Sequence, residues 1–550
     1  MQLLMWGVSL AVVCLPNFCL AQDTDAYRLD GKSIRVDRAS LWTNWIYQND
    51  FVSELSVSVS EVDILHVDAD GLRPVFFRKN INVAPAAETF TYPDLVRAGG
   101  TLISGGATAK SNDALARNVL DGDLTTFWEP ETPTSFAGRL TDPGDFNLNG
   151  LREWEIELDM GRLVFADSLT LIFPSNQFEG EFLGQPVKSF ALFGSMGERF
   201  PFPVGNKLKY DLIQQTITSG LVPVAGTDGR YGQMTFELRP FDRADWDLDG
   251  VPDINGGFIQ YVRVKVTDSD LWRGSFLGAG EEARLAYEML PEVRRGAVAY
   301  QRQTAGGLFV ELQDDAQSAH EKYMSLTEEK RGPVLYYTKE VPRIAEIRVW
   351  TTGDNYALHL EKRAGASFEH GDWGAPGLAT DGLYDTEYQA RTWSPVYARA
   401  TAWYDLGAVF WVDNVSVVNR RKPSTAQGGD GAFLGPHILV SDGTLLKPLS
   451  MNDRSDFAQL EDGLKWHNII SEEHVDNHTP RVRIFRETFP RRKVRFLQLR
   501  DTDITGVLSG RNDALATVGE LQLYGEGYPT SVWAYSPPIS LTDARGEFIR

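Results

Sequence analysis

Apolar and polar side chains alternate in short runs along most of the chain: Ser33 to Val36, Leu55 to Val59, Trp154 to Leu158, Tyr261 to Val266, Ile344 to Trp350 and Glu520 to Tyr524. A period of two puts every second side chain on one face, the mark of a strand with one buried side. Clusters of Gly, Asp, Asn and Pro separate the runs and supply turns. With 50 Gly and 27 Pro and few stretches of 3.6 period, the pattern predicts an all-β chain of antiparallel sandwiches or barrels. The one exception is Ala316 to Lys330, where the spacing predicts a short linker helix.

The pattern also repeats. Asn118-Val-Leu-Asp121-Gly122-Asp123-Leu-Thr-Thr126-Phe-Trp128 matches Leu378-Ala-Thr-Asp381-Gly382-Leu-Tyr-Asp385-Thr386-Glu-Tyr388. Trp154-Glu-Ile-Glu-Leu-Asp159-Met-Gly161 matches Trp403-Tyr-Asp405-Leu-Gly407, and Tyr261-Val-Arg263 matches the strand that holds Val494-Arg495. Three blocks recur in one order, which predicts a duplicated domain, because solenoid units have periods of only about 20–50 residues. The first copy carries about 14 extra residues between the first two blocks, around Thr141 to Gly150.

The cellular setting follows from the N-terminus. Met1 to Ala21 has no charged side chain, and its apolar run, Leu3 to Leu15, has the length of a secretory h-region. It is shorter than the about 20 apolar residues of a membrane span. A signal peptide at 1–21 predicts a secreted protein, extracellular or periplasmic and of bacterial type. Both cysteines, Cys14 and Cys19, would leave with it, which removes disulfides and thiolate metal sites together. The formal charge of −21 disfavours nucleic acid and anionic membranes as partners and suits neutral glycans and calcium. No later stretch is long and apolar enough for a transmembrane segment.

Asp-Gly-Asp-x-x-Thr-x-Trp at 121–128, then Trp-x-x-x-Leu-Asp-x-Gly at 154–161, then a Tyr-Val-Arg strand at 261–263, resembles the discoidin family, also called coagulation factor 5/8 type C domains and similar to family 32 carbohydrate-binding modules. Val518-Gly-Glu520-Leu-Gln-Leu-Tyr524-Gly525 resembles the closing strand of that family. The resemblance implies two antiparallel jelly-roll β-sandwiches of the galactose-binding-like type, with additional β segments and with ligands held by loops. The expected division is a signal peptide (1–21), an N-terminal β segment (22–90), sandwich one with calcium-type loops (91–295), a connecting β and short-helix segment (296–354), sandwich two (355–527), and a tail or the start of a further β module (528–550).

Three places could hold calcium. Asp245, Asp247, Asp249 and Asp253 stand at positions one, three, five and nine of a loop with Gly250 at six, so their oxygens can converge on a hard cation. Position twelve is Gly256, which leaves out the usual last acidic ligand; the competing reading is a solvated acidic turn. Asp145, Asn147, Asn149 and Glu153 form a weaker version, open to an Asn-Gly hairpin reading. The family resemblance implies a third site, with Asp121, Asp123 and Thr126 in copy one and Asp381, Thr386 and Glu520 in copy two. Leu383 replaces the second aspartate in copy two, and Glu288 is the expected closing glutamate of copy one. Without metal, the same residues would cap turns.

Sugar rings pack their C–H faces on exposed aromatic rings. Trp373 with the neighbouring His370, and Trp393 and Trp246, are the expected ligand-binding residues, whereas Trp128 and Trp154 read as core. Signatures of nucleophilic, zinc-hydrolase and phosphate chemistry are missing from the sequence. A basic stretch, Arg481 to Arg500, stands out, readable as a dock for an acidic polysaccharide or as solvated strand faces. The reading is a non-catalytic protein that binds carbohydrate or a cell-surface glycan. The alternatives are a structural cell-surface or assembly protein that contacts other surface proteins, and accessory modules of a polysaccharide-degrading enzyme.

Overall fold

The computed structural model describes residues 27–30, 33–36, 38–42, 46–48, 56–58, 65–68, 71–89, 105–131, 154–174, 177–178, 181–182, 187–198, 208, 210–217, 221–238, 257–269, 275–312, 318–338, 341–358, 360, 364–366, 376–384, 386, 388–392, 401–419, 436–447, 463–470, 484–501 and 514–530. Every strand pairing among them is antiparallel. No helix among them is long and apolar enough to cross a membrane. The all-β sandwich class expected from the alternation is the class observed.

Three small hairpins come first: β1 (Arg28–Asp30) with β2 (Ser33–Arg35), β3 (Ile46–Gln48) with β4 (Ser56–Ser58), and β5 (Leu65–Asp68) with β6 (Gly71–Pro74). A helical turn, α1 (Ala39–Trp42), lies between the first and second hairpins. The first sandwich then uses β7 (Lys79–Asn82), β8 (Gly106–Ala109) and the 20-residue β9 (Glu155–Pro174). After a short hairpin, β10 (Gln177–Phe178) and β11 (Glu181–Phe182), it adds β12 (Val187–Ser195), β13 (Asp211–Ile217), β14 (Val222–Pro223), β15 (Tyr231–Glu237) and β16 (Phe258–Ser269).

β9 organises this unit. Its first half pairs with β8 and β16, and its second half with β15, so one strand serves both layers. The change of partner falls between Phe165 and Ala166, a few residues beyond Gly161. Gly161 has φ +70° and donates its N–H to Asp159 Oδ1 at 2.9 Å. Only glycine takes that backbone conformation without strain. Alternate side chains of β9 and its neighbours, Ile156, Leu158, Leu171, Val262 and Val264, meet Trp128 and Trp154 in one core. Both tryptophans are buried, as the sequence reading expected.

A small module interrupts the sandwich before it closes: β17 (Ser275–Ala279), α2 (Glu281–Met289), β18 (Arg295–Gln303), β19 (Phe309–Glu311), α3 (Ala319–Ser325) and β20 (Arg331–Thr338), with sheet order β17-β20-β18-β19. It is itself a repeat. The Tyr287 hydroxyl donates to the Gly296 carbonyl at 2.9 Å and the Tyr323 hydroxyl to the Gly332 carbonyl at 2.8 Å, while Arg295 and Arg331 lie over those two tyrosine rings. The linker helix expected over Ala316 to Lys330 is shorter, Ala319 to Ser325 followed by a 3-10 turn at Glu328–Lys330. Leu326 ends it by turning to extended backbone.

Only after this insert does β21 (Glu346–Gly353) return and pair with β9 and β7. The first sheet system therefore continues past residue 295, the boundary expected from sequence.

The second sandwich comprises β22 (Ala364–Ala366), β23 (Tyr388–Thr392), β24 (Thr401–Asn419), β25 (Pro436–Ser441), β26 (His467–Ile470), β27 (Ile484–Asp501) and β28 (Ala514–Gly525). β24 takes the place of β9, flanked by β22, β27 and β28 as β9 is by β8, β15 with β16, and β21. Gly407, at φ +79°, donates to Asp405 Oδ1 at 2.8 Å, the same turn as in copy one. Register corrects the third sequence match. Tyr261 lies opposite Asp159 and Phe496 opposite Asp405, so the counterpart of Arg495 is Gln260 rather than Arg263. Gln260 and Arg495 each reach the turn aspartate, at 3.3 and 3.2 Å. Arg263 instead pairs with Glu155 and Glu157.

The two sandwiches touch. Leu163, Phe165, Met196 and Phe258 of the first pack with Tyr384, Val418 and Tyr524 of the second. Across this contact the Leu163 N–H donates to the Gly382 carbonyl at 2.6 Å, and Gln522 Nε2 donates to the Leu163 carbonyl at 2.9 Å.

Candidate functional site

The two Asp-Gly loops are built alike from the residues upward. In sandwich one a 3-10 turn, Asp113–Val119, delivers the chain to Asp121. Asp121 Oδ1 accepts the Asp123 N–H at 2.8 Å, and its Oδ2 accepts the Thr126 hydroxyl at 2.7 Å. In sandwich two the 3-10 turn is Pro376–Thr380, and Asp381 Oδ1 accepts both the Leu383 N–H and the Thr386 hydroxyl at 2.9 Å. Gly122 and Gly382 both sit at positive φ, +75° and +80°. A glutamate from the closing strand holds each loop. Glu520 Oε2 accepts the Gly382 N–H at 3.1 Å.

In sandwich one that glutamate is Glu346 on β21, which takes a hydrogen bond from the Gly122 backbone. Glu288, the residue expected there, lies on α2 and is bound to Arg284 on the helix surface. The sequence did contain the signal: Glu346-Ile-Arg-Val-Trp350 has the pattern of Glu520-Leu-Gln-Leu-Tyr524. The inserted module hid it by moving the strand far from the rest of its sandwich.

Glu346 is 1% exposed, and its Oε2 accepts no hydrogen bond. Burial pushes its carboxyl up to about 7; Arg348 opposes that rise, and the negative charge of Asp121 adds to it. Asp123 moves the opposite way, held below the usual carboxylate range by the Thr125 hydroxyl and N–H. A buried carboxylate oxygen without a donor, beside two aspartates, fits a hard cation better than it fits an empty core. Among the described residues no three acidic or imidazole side chains converge as a metal cluster. A cation there would complete its shell from loop carbonyls, Thr126 or water.

The copies differ in exposure. Asp121, Gly122 and Asp123 are exposed, whereas Asp381, Gly382 and Leu383 are buried where the sandwiches meet. Leu383 stands where the first loop has Asp123 and is buried, so a carboxylate at that position would have to shed its water. Arg162, half-buried beside Gly382, has its guanidinium lowered to about 10 by desolvation, with Asp354 pulling it back up.

The other expected positions lie outside the described residues: Asp245, Trp246, Asp247, Asp249 and Asp253; Asp145, Asn147, Asn149 and Glu153; and His370, Trp373 and Trp393. The chain around the first group is anchored at both ends. Leu238 N–H donates to the Asp167 carbonyl at 3.0 Å and Ala166 N–H to the Gly257 carbonyl at 2.9 Å. The Asp245–Asp253 segment falls in the sequence between β15 and β16, which together pair with β9 as the single strand β27 pairs with β24 in sandwich two.

A scan against protein-family models finds no match, and no curated protein matches the sequence. Among solved structures the chain is similar to chitosan-binding module 1 of a Paenibacillus sp. IK-5 chitosanase/glucanase: 18% identity, 31% of this chain and 99% of that one, TM-score 0.22. It is similar to the family 32 carbohydrate-binding module of C. perfringens NanJ in complex with galactose: 16% identity, 30% and 92% covered, TM-score 0.20. A third is a fucolectin from striped bass (Morone saxatilis) serum: 13% identity, 82% and 99% covered, TM-score 0.22. At TM-scores near 0.2 these likenesses fix neither ligand nor family.

Proposed function

We propose that the protein is a secreted, non-catalytic binding protein of two discoidin-like sandwiches that recognises carbohydrate or a cell-surface glycan. The carrying observation is the shared Asp-Gly and glutamate clasp together with the shared Asp-x-Gly turn, the two features by which the sequence resembles that family. The similar structures are a chitosan-binding module, a galactose-bound module and a fucolectin, which agrees with a glycan as ligand. Ligand would be held by loop aromatics, with Trp373, Trp393, His370 and Trp246 as first choices. Calcium would sit under the first Asp-Gly loop, with Glu346 and Asp121 as its carboxylates and loop carbonyls, Thr126 or water completing the shell, and in the Asp245–Asp253 and Asp145–Glu153 loops. Its chemistry there is structural: neutralising carboxylates that otherwise repel one another.

The reading is tested on a glycan array with and without chelator. Binding to at least one neutral glycan, weakened by chelation, is expected; no binding to any glycan in calcium refutes it. A protein-contact role is the second reading. Met289, Leu308, Phe309, Val310 and Met324 are exposed on the inserted module, and such side chains suit a partner protein.

A further inference from the structure

We propose that sandwich two carries a separate binding face, centred on Trp411, for an anionic glycan, a pyranose bearing a carboxylate or sulfate ester. It takes its ligand class from the glycan reading but uses none of the loop aromatics on which that reading depends.

Trp411 lies in β24 four residues beyond the Gly407 turn, and its cross-strand partner is Lys493. Lys493 Nζ stands 5.5 Å from the ring centroid and the Arg491 guanidinium 5.3 Å. Arg491 is held in place by donating to the Glu526 carbonyl. The next residue keeps the edge of the ring clear. A Cβ on Gly527 would stand 3.2 Å from Arg491 Nη2 and 4.0 Å from Trp411 Cδ1, and its φ of +127° disfavours any side chain. Tyr528 follows, 56% exposed, and meets Phe76, 41% exposed, edge to face at 4.9 Å. The pairing of Phe77 with Gly527 ties these two segments together. Three aromatic rings and two cations thus share one surface.

The charges around them are already assigned. Asp413 is paired with Lys79 and Asp354 with Arg78. Neither Arg491 nor Lys493 has a carboxylate partner among the described residues, and the exposed Glu526 is the acidic neighbour. In a chain of formal charge −21, two cations without an ion-pair partner among the described residues, beside aromatic rings, are a place for an anion. An acidic pyranose meets both halves of it, its C–H face on the rings and its charged group on Arg491 and Lys493.

The duplicated position gives independent support. Phe165 takes the place of Trp411 in sandwich one, and the Arg486 guanidinium of sandwich two stacks on it at 3.6 Å. The fold uses this position as an aromatic seat in both copies. Sandwich two closes it in copy one and leaves it half-buried in copy two.

The test is affinity electrophoresis of the full chain through oligogalacturonate, dextran sulfate or neutral dextran; the two anionic probes separate carboxylate from sulfate recognition. Retardation by at least one anionic probe is expected, weakening with salt, with none by neutral dextran. Arg491→Gln with Lys493→Gln should weaken it at least tenfold. Lys493→Gln alone, which leaves the Arg491 contact to the backbone intact, should weaken it several-fold at an unchanged melting temperature. Glu526→Gln should strengthen it several-fold. Equal retardation by all three probes, or an unchanged response in the charge variants, overturns the proposal. Loss of anionic binding with neutral-glycan binding kept would assign the two to different sites. Anionic binding without any neutral glycan would sink the assignment of a neutral-glycan site to the loop aromatics and leave this one standing.

Discussion

Replacing Glu346 by glutamine tests the first Asp-Gly loop most directly, because the burial of its carboxyl fixes the sign of the effect. The carboxyl is raised from 4.5 to about 7, mainly by burial. The folded protein therefore keeps a proton that the unfolded chain gives up near pH 4.5. That contribution is fully present below pH 4.5 and is lost as pH rises through about 7. At about 1.4 kcal/mol per pH unit, the loss approaches about 3 kcal/mol at pH 8 in chelator. The substituted amide cannot ionise, so in chelator the variant should be the more stable protein at pH 8 and no more stable than wild type at pH 5. Calcium should reverse the order. It binds the ionised carboxylate, and at about a hundredfold excess over Kd it restores about 2.7 kcal/mol to the wild type and little to the variant. Urea unfolding monitored by tryptophan fluorescence at both pH values, with and without calcium, reads all four states. Sandwich one is the transition to follow, since the chain need not unfold in one step. If Glu346 only clasps the Gly122 N–H, Glu346→Gln will cost about 1–3 kcal/mol at both pH values, and calcium will act on both proteins alike. That pattern would refute the cation site.

Other substitutions probe the scaffold and the second loop. Leu383→Asp places a carboxylate at a buried position next to Gly382, which is bonded across to the first sandwich; it should cost about 2–5 kcal/mol, as thermal unfolding will show. Asp405→Asn removes a buried carboxylate that the buried Arg495 Nε reaches at 3.2 Å and should cost about 3–5 kcal/mol, whereas the matching Asp159→Asn faces the neutral Gln260 and should cost less; thermal unfolding compares the two. Asp245→Asn with Asp249→Asn should lower calcium stoichiometry in isothermal titration without moving the chelated melting temperature, and an unchanged stoichiometry counts against that loop.

Period-two alternation was enough to read the strands, because half-buried β surfaces write their pleat directly into the side-chain order. The Asp-Gly and Asp-x-Gly motifs were legible for a related reason. Each depends on a glycine at positive φ and a side-chain cap two residues away, which are local requirements. Glu346 was not legible as a site residue, since its role depends on a strand returning after an insertion. The insert was half-read: its helix at Ala319–Ser325 was expected, but its two-fold internal repeat was not, although Tyr287-x-x-Leu290-x-Glu292-x-x-Arg295-Gly296 recurs at Tyr323-x-x-Leu326-x-Glu328-x-x-Arg331-Gly332. The register of Arg495 was missed because the strand bulges next to Gln260, a shift no one-dimensional match records.

The two Asp-Gly loops show how duplication separates roles that one loop cannot combine. A loop that binds a cation must keep its oxygens wet enough to exchange with water, and Asp121 and Asp123 remain exposed. A loop that docks a neighbouring domain must shed charge, and Leu383 packs where the second aspartate would stand. The clasp itself, glycine N–H to buried glutamate, survives in both because either role needs the loop held to the closing strand. The same division holds at the aromatic seat, where Phe165 is covered by the partner sandwich and Trp411 is flanked by two cations. If the cation and glycan proposals hold, interface and recognition fall to opposite copies at both positions, and binding chemistry is to be sought on the first Asp-Gly loop and around Trp411, not where the sandwiches meet.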